Sequence, residues 1–64
     1  MKMVDTWCFM GYTFLKFEKS PPYWDGMIKV DGVEYNASCV YDAPNCISVK
    51  GEYDFKDKDI IFDR

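Results

Sequence analysis

IKVDGVEY, residues 28–35, decides the fold. Apolar residues alternate with polar ones on both sides of an Asp-Gly pair. Asp-Gly suits a two-residue type I′ turn, in which both central positions need positive φ. Such a turn fixes the register. Val30 then faces Val33, Ile28 faces Tyr35, and all four lie on one face of the hairpin. Ala37, Cys39 and Tyr41 continue that face. Lys29, Glu34, Asn36, Ser38 and Asp42 lie on the other, which is polar. One side packs on a core and the other meets water.

Parity carried downstream sizes the next connection, DAPNC. A four-residue loop sets Cys39 opposite Ser48 and misaligns the apolar faces. A five-residue loop over 42–46 pairs Tyr41 with Ile47 and Cys39 with Val49. The pattern favours five. Ile47, Val49, Gly51, Tyr53 and Phe55 then line the core, with Gly51 free to kink. KDKD, residues 56–59, reads as a charged turn that pairs Phe55 with Ile60 and Tyr53 with Phe62.

Upstream, residues 6–18 are rich in aromatic residues and apolar on both faces. Those residue types fit a pleated surface. One long, bent, central strand with a bulge at Gly11 is preferred. The alternative is a hairpin turning at Met10-Gly11, with Phe9 facing Tyr12 and Trp7 facing Phe14. KSPPYWDG, residues 19–26, is a loop, since its two prolines remove donors and set an extended path. The expected fold is all-β: a small antiparallel five-stranded curled sheet or SH3-like barrel, as one domain over residues 1–64 and without a helix. Its order of elements resembles that of small SH3-like barrels, a likeness of topology that carries no functional residues with it.

At 64 residues the chain is near the lower size at which a domain buries enough surface to fold alone. Its 12 aromatic residues supply a dense core instead of a metal or disulfide. Most of those rings are expected inside. The net charge is −3, unevenly spread. Residues 1–30 hold four Lys against three acids, and residues 31–64 hold eight acids against four bases. That balance argues against broad contact with a phosphate backbone or an anionic membrane surface.

The chain has no His, which removes the commonest general base and metal ligand. No enzymatic activity, cofactor or metal is expected. Cys8, Cys39 and Cys46 are an odd number at spacings that do not form a zinc pattern. Cys39 reads as a small core residue and Cys46 as exposed, with a Cys39–Cys46 disulfide open to an oxidant. The N-terminal residues lack a signal-peptide core and no apolar run reaches the length of a membrane span, so a cytoplasmic protein with reduced thiols is expected. On that view the Asn36-Ala37-Ser38 glycosylation pattern is chance.

Two segments are candidate binding surfaces. Tyr23 and Trp24 follow Pro-Pro on a loop, where Tyr and Trp make good interface anchors. Asp54, Asp57, Asp59 and Asp63 form an acidic run that could enter a basic groove by charge complementarity. The expected function is a small non-catalytic protein that binds and inhibits a partner protein, one that handles nucleic acid. Size and charge match the inhibitors that phages and mobile elements carry against host defences, anti-CRISPR proteins among them; this is association rather than motif. The alternative is a small barrel binding single-stranded nucleic acid or a peptide through loop aromatics. A homodimer completed through an edge strand is a third option.

Overall fold

A computed structural model describes residues 3–19 and 26–63, the last by its backbone alone. Six strands form: β1 (Asp5–Phe9), β2 (Tyr12–Lys16), β3 (Gly26–Val30), β4 (Val33–Val40), β5 (Ala43–Lys50) and β6 (Ile60–Asp63). All pairings are antiparallel, in the order β1-β2-β5-β4-β3-β6. No helix occurs among the described residues, and so none long and apolar enough to cross a membrane.

The all-β curled sheet is what the alternation predicts. Asp31 and Gly32 take φ of 54° and 80°, and the pairs Val30↔Val33 and Ile28↔Tyr35 form as read. Curling is visible in one contact. Strands β2 and β6 stand four places apart in the sheet, about 19 Å if it were flat. Yet the Phe17 ring, one residue past β2, lies 5.5 Å from the Phe62 ring. The concave face therefore closes on a core of Leu15, Phe17, Ile28, Val30, Ala37, Ile47, Val49, Phe55 and Ile60. Burying each large member stabilises the fold by about 1.5–3 kcal/mol before entropy is counted.

Four details depart from the sequence expectation, each for a local reason. The long bent strand is instead a hairpin. Met10 and Gly11, at φ of 51° and 80°, make a second type I′ turn and pair Phe9 with Tyr12 and Trp7 with Phe14. The expected five strands become six.

The loop after β4 is also shorter than five residues. Val40 pairs with Ala43 and Cys39 with Ile47, so Pro44, Asn45 and Cys46 bulge out of the ladder between them. Proline suits that interruption because it has no N–H to leave unpaired. The bulge bonds to the other neighbour: Asn45 accepts from Phe17 N at 2.8 Å, and its Nδ2 donates to Phe17 O at 3.0 Å. Cys39 pairs with buried Ile47 and Cys46 lies outside the core cluster, but their exposures depart from expectation. Cys46 is buried and Cys39 exposed, the reverse of the expectation. All three cysteines are free thiols, with no Cys39–Cys46 bridge. Tyr41, expected on the core face, sits in the turn at 96% exposure.

Third, β6 does not fold back on residues 53–55. It pairs with β3, as Val30↔Ile60 and Ile28↔Phe62. The chain leaves the sheet at Gly51 (φ 105°) and crosses to the far side. Thr13 holds this crossover. Its hydroxyl, wholly buried, donates to Gly51 O at 2.7 Å and accepts from Tyr53 N at 2.9 Å. A Cβ on Gly51 would meet the Tyr53 ring at 2.8 Å, so the kink and the ring seated over it both require glycine. Tyr53 stacks on Phe55, and Tyr35 meets both rings edge-on.

Finally, Val33 is 52% exposed although Val30 opposite it is buried. β5 has already left the sheet at that level, so the start of β4 has lost that neighbour.

Candidate functional site

The β1–β2 hairpin lies at one end of the sheet, with β1 as the edge strand. Register puts Thr6, Cys8, Thr13 and Leu15 on the concave face, because Cys8 opposes Thr13 and Thr6 opposes Leu15. The other face carries Trp7, Phe9, Tyr12 and Phe14. Trp7 stacks on Phe14 with ring centroids 5.7 Å apart and planes 8° from parallel. The core lies on the concave side, so this second apolar face remains in solvent. Phe9 is 61% exposed and Met10 at the turn 79%, with Trp7 and Tyr12 also exposed. An exposed aromatic patch of this composition on so small a chain is a candidate contact surface.

A groove of about 670 Å³ runs beside that hairpin. Residues 3–8 make one wall and residues 52–54 with 56–58 the other. Cys8 Sγ and Tyr53 O, 3.5 Å apart, join the walls. Trp7, Val4, Met3 and Tyr53 supply apolar surface. Asp5, Glu52, Asp54 and Asp57 supply four carboxylates against the ammonium groups of Lys56 and Lys58. Lys58 reaches away to Asp31 at the tip of the β3–β4 hairpin, with Nζ 2.6 Å from Oδ2. That hydrogen bond, with the carboxylate charge behind it, raises the Lys58 pKa. Asp54 Oδ1 accepts from Lys56 N at 3.2 Å and shapes the turn. The rim is therefore acidic around an apolar centre.

Of the residues singled out from sequence, Asp54 and Asp57 both line this groove, while Asp59 is exposed outside its lining. Asp63, the last residue of β6, pairs by its backbone with Met27 of β3. Tyr23 and Trp24 lie outside the described residues. Sequence reasoning missed Asp5, Glu52 and the outward aromatics Trp7, Phe9, Tyr12 and Phe14. The available signal was a run apolar on both faces, which fits a two-sided core strand and equally an edge hairpin with one sticky face.

Among the described residues no group of three or more His, Cys, Asp or Glu side chains is placed to hold a metal ion. No family model matches the chain, and no curated protein or solved structure matches it.

Proposed function

We propose that this chain is a small non-catalytic binding protein that docks on a partner protein through the β1–β2 hairpin and its adjoining groove. Support comes from one observation: Trp7 belongs both to the exposed aromatic face and to a groove rimmed by Asp5, Glu52, Asp54 and Asp57. An apolar centre with a charged rim is how protein interfaces are built, and aromatic residues dominate their energetics. The excess of carboxylates favours a basic partner surface and speeds encounter with it. A surface that normally holds nucleic acid has that charge, so the bound state would block it. Inhibition of a nucleic-acid-handling protein, such as a nuclease met by a phage or mobile element, remains the function proposed, on size and charge.

The test is affinity capture from the cell that encodes the protein, with wild type, Trp7→Ala/Phe9→Ala and Asp54→Lys/Asp57→Lys compared. A basic protein held by wild type, lost with the first variant and weakened by salt or by the second, is the expected result. Capture indifferent to all of these changes would overturn the proposal. So would salt-sensitive binding of a single-stranded oligonucleotide by the purified protein, which favours the nucleic-acid alternative.

A further inference from the structure

We propose that the partner contributes an extended basic segment that adds as a further strand to the free edge of β1, lying in the groove between that edge and residues 52–58. The inference rests on the protein-binding function above and specifies its mode.

The geometry follows from the turn. In a two-residue type I′ hairpin the residues flanking the turn exchange both backbone hydrogen bonds, and the pattern then alternates. Phe9 and Trp7 therefore bond to β2, while Cys8 and Thr6 point their N–H and C=O groups away from it; beyond them the alternation breaks, since Val4 N donates to Lys16 O at 2.7 Å. One observation agrees: Thr6 N donates to the Asp5 side chain, at 2.8 Å to Oδ1, rather than to a strand. Asp5 thus caps a donor that an added strand would use. Exposed edges are commonly blunted by such charged residues, and added strands are a recurrent mode of peptide recognition.

The groove lies along this edge. Six of its lining residues, 3–8, run consecutively along one wall. The five residues of β1 span about 17 Å, enough to pair with a segment of about that length. The opposite wall meets β1 through the Cys8 side chain, whose Sγ lies 3.5 Å from Tyr53 O, but adds no strand to its edge. Residues 52–55 belong to no strand, and Tyr53 N is spent on the Thr13 hydroxyl on the concave side.

Charge selects the occupant. An incoming strand alternates its side chains between the two faces. On the outer face they meet Asp5 and the exposed indole of Trp7, which together suit a Lys or Arg. On the inner face they meet the wall carrying Glu52, Asp54 and Asp57. When a peptide carbonyl takes the Thr6 N–H, the displaced Asp5 carboxylate is free to pair with a basic side chain. A second copy of this chain fits poorly, because pairing two β1 edges would bring two acidic rims together.

The test uses the full-length 15N-labelled protein and a positional library of N-acetylated decapeptides. The expected result is selection of Lys or Arg at alternate positions, with slowed hydrogen exchange at the Thr6 and Cys8 amides in the complex. N-methylation of alternate peptide amides should weaken binding by roughly tenfold to a hundredfold, since two or three hydrogen bonds are lost. Asp5→Asn keeps an acceptor for Thr6 N but loses the charge, so it should weaken binding of the basic peptides at an unchanged unfolding midpoint. Selection without basic bias, binding that leaves Thr6 and Cys8 unprotected, or indifference to N-methylation each overturns the proposal. Dimerisation through β1 in solution would overturn it too. If no peptide is selected while the captured partner still depends on Trp7 and Phe9, the strand-addition mode fails and the protein-binding function stands. If no basic partner is captured, that function itself fails.

Discussion

Two hairpins in this molecule share one turn geometry and differ in almost everything else. Met10-Gly11 and Asp31-Gly32 both adopt type I′ dihedrals, within a few degrees of each other. The β3–β4 hairpin sits inside the sheet, flanked by β6 and β5. Among the described residues the β1–β2 hairpin has a neighbour strand on one side only, and its second face of aromatic residues is largely exposed. Turn chemistry sets how a hairpin folds; its place in the sheet sets what it is free to do. The first hairpin is scaffold and the second is the contact surface proposed above.

That contrast can be broken most severely at Ile28, on the inner face of the scaffold hairpin. It is 1% exposed, and Ile28→Ala should remove about 2–5 kcal/mol of stability in urea unfolding. A 64-residue domain has little margin, so the variant should be partly unfolded at 37 °C. Thr13→Val comes next. It takes away the hydroxyl that holds the Gly51–Tyr53 crossover and leaves buried polar groups unpaired, for a loss of about 1–3 kcal/mol. The groove wall should loosen with it, seen as faster hydrogen exchange at the Tyr53 amide.

Met10→Asn sharpens the comparison by giving the outer hairpin the turn chemistry of the inner one. A left-handed conformation strains Met and suits Asn, so the variant should gain about 1 kcal/mol of stability. The smallest effect belongs to the Lys58–Asp31 contact, which joins the groove wall to the scaffold turn. Both side chains are exposed. Asp31 holds the Lys58 ammonium above its ordinary value of 10.5. A raised folded-state pKa gives a contribution present in full below that value and lost only as pH rises through the folded one. Asp31→Asn should therefore match wild type closely in unfolding midpoint at neutral pH and converge on it further in strong alkali.

The same contrast explains which parts of the fold the sequence displayed. Asp31-Gly32 was legible because Asp and Gly both tolerate positive φ, and its register gave the partners of Ile28 and Val30 correctly. Met10-Gly11 was obscured because Met is a poor residue for that conformation, so Gly11 alone read as a bulge. Parity survived downstream: Ala37, Ile47 and Val49 share the concave face as expected. Register did not, because a bulge of three residues is invisible to a period of two. That error moved the partner of Cys39 from Val49 to Ile47. The C-terminal strand was assigned to the wrong neighbour because Gly51 redirects the chain, and the Thr13 hydroxyl that fixes the redirection lies 38 residues away.

The site was legible in its acids and hidden in its aromatics. Asp54 and Asp57 stand out in the sequence as charge. Trp7, Phe9 and Tyr12 resemble core residues, and only the structure shows that their side chains are exposed.

The division between the two hairpins can be measured directly by amide signals of the 15N-labelled protein as the captured partner is added. Signals of residues 5–16 and 52–58 should broaden or shift most, with smaller shifts at Asp31 and Tyr35, which touch Lys58 and Tyr53, while those of Ile28, Lys29 and Val30 stay in place. Perturbation centred on 28–35, with the β1–β2 hairpin unchanged, would contradict the account.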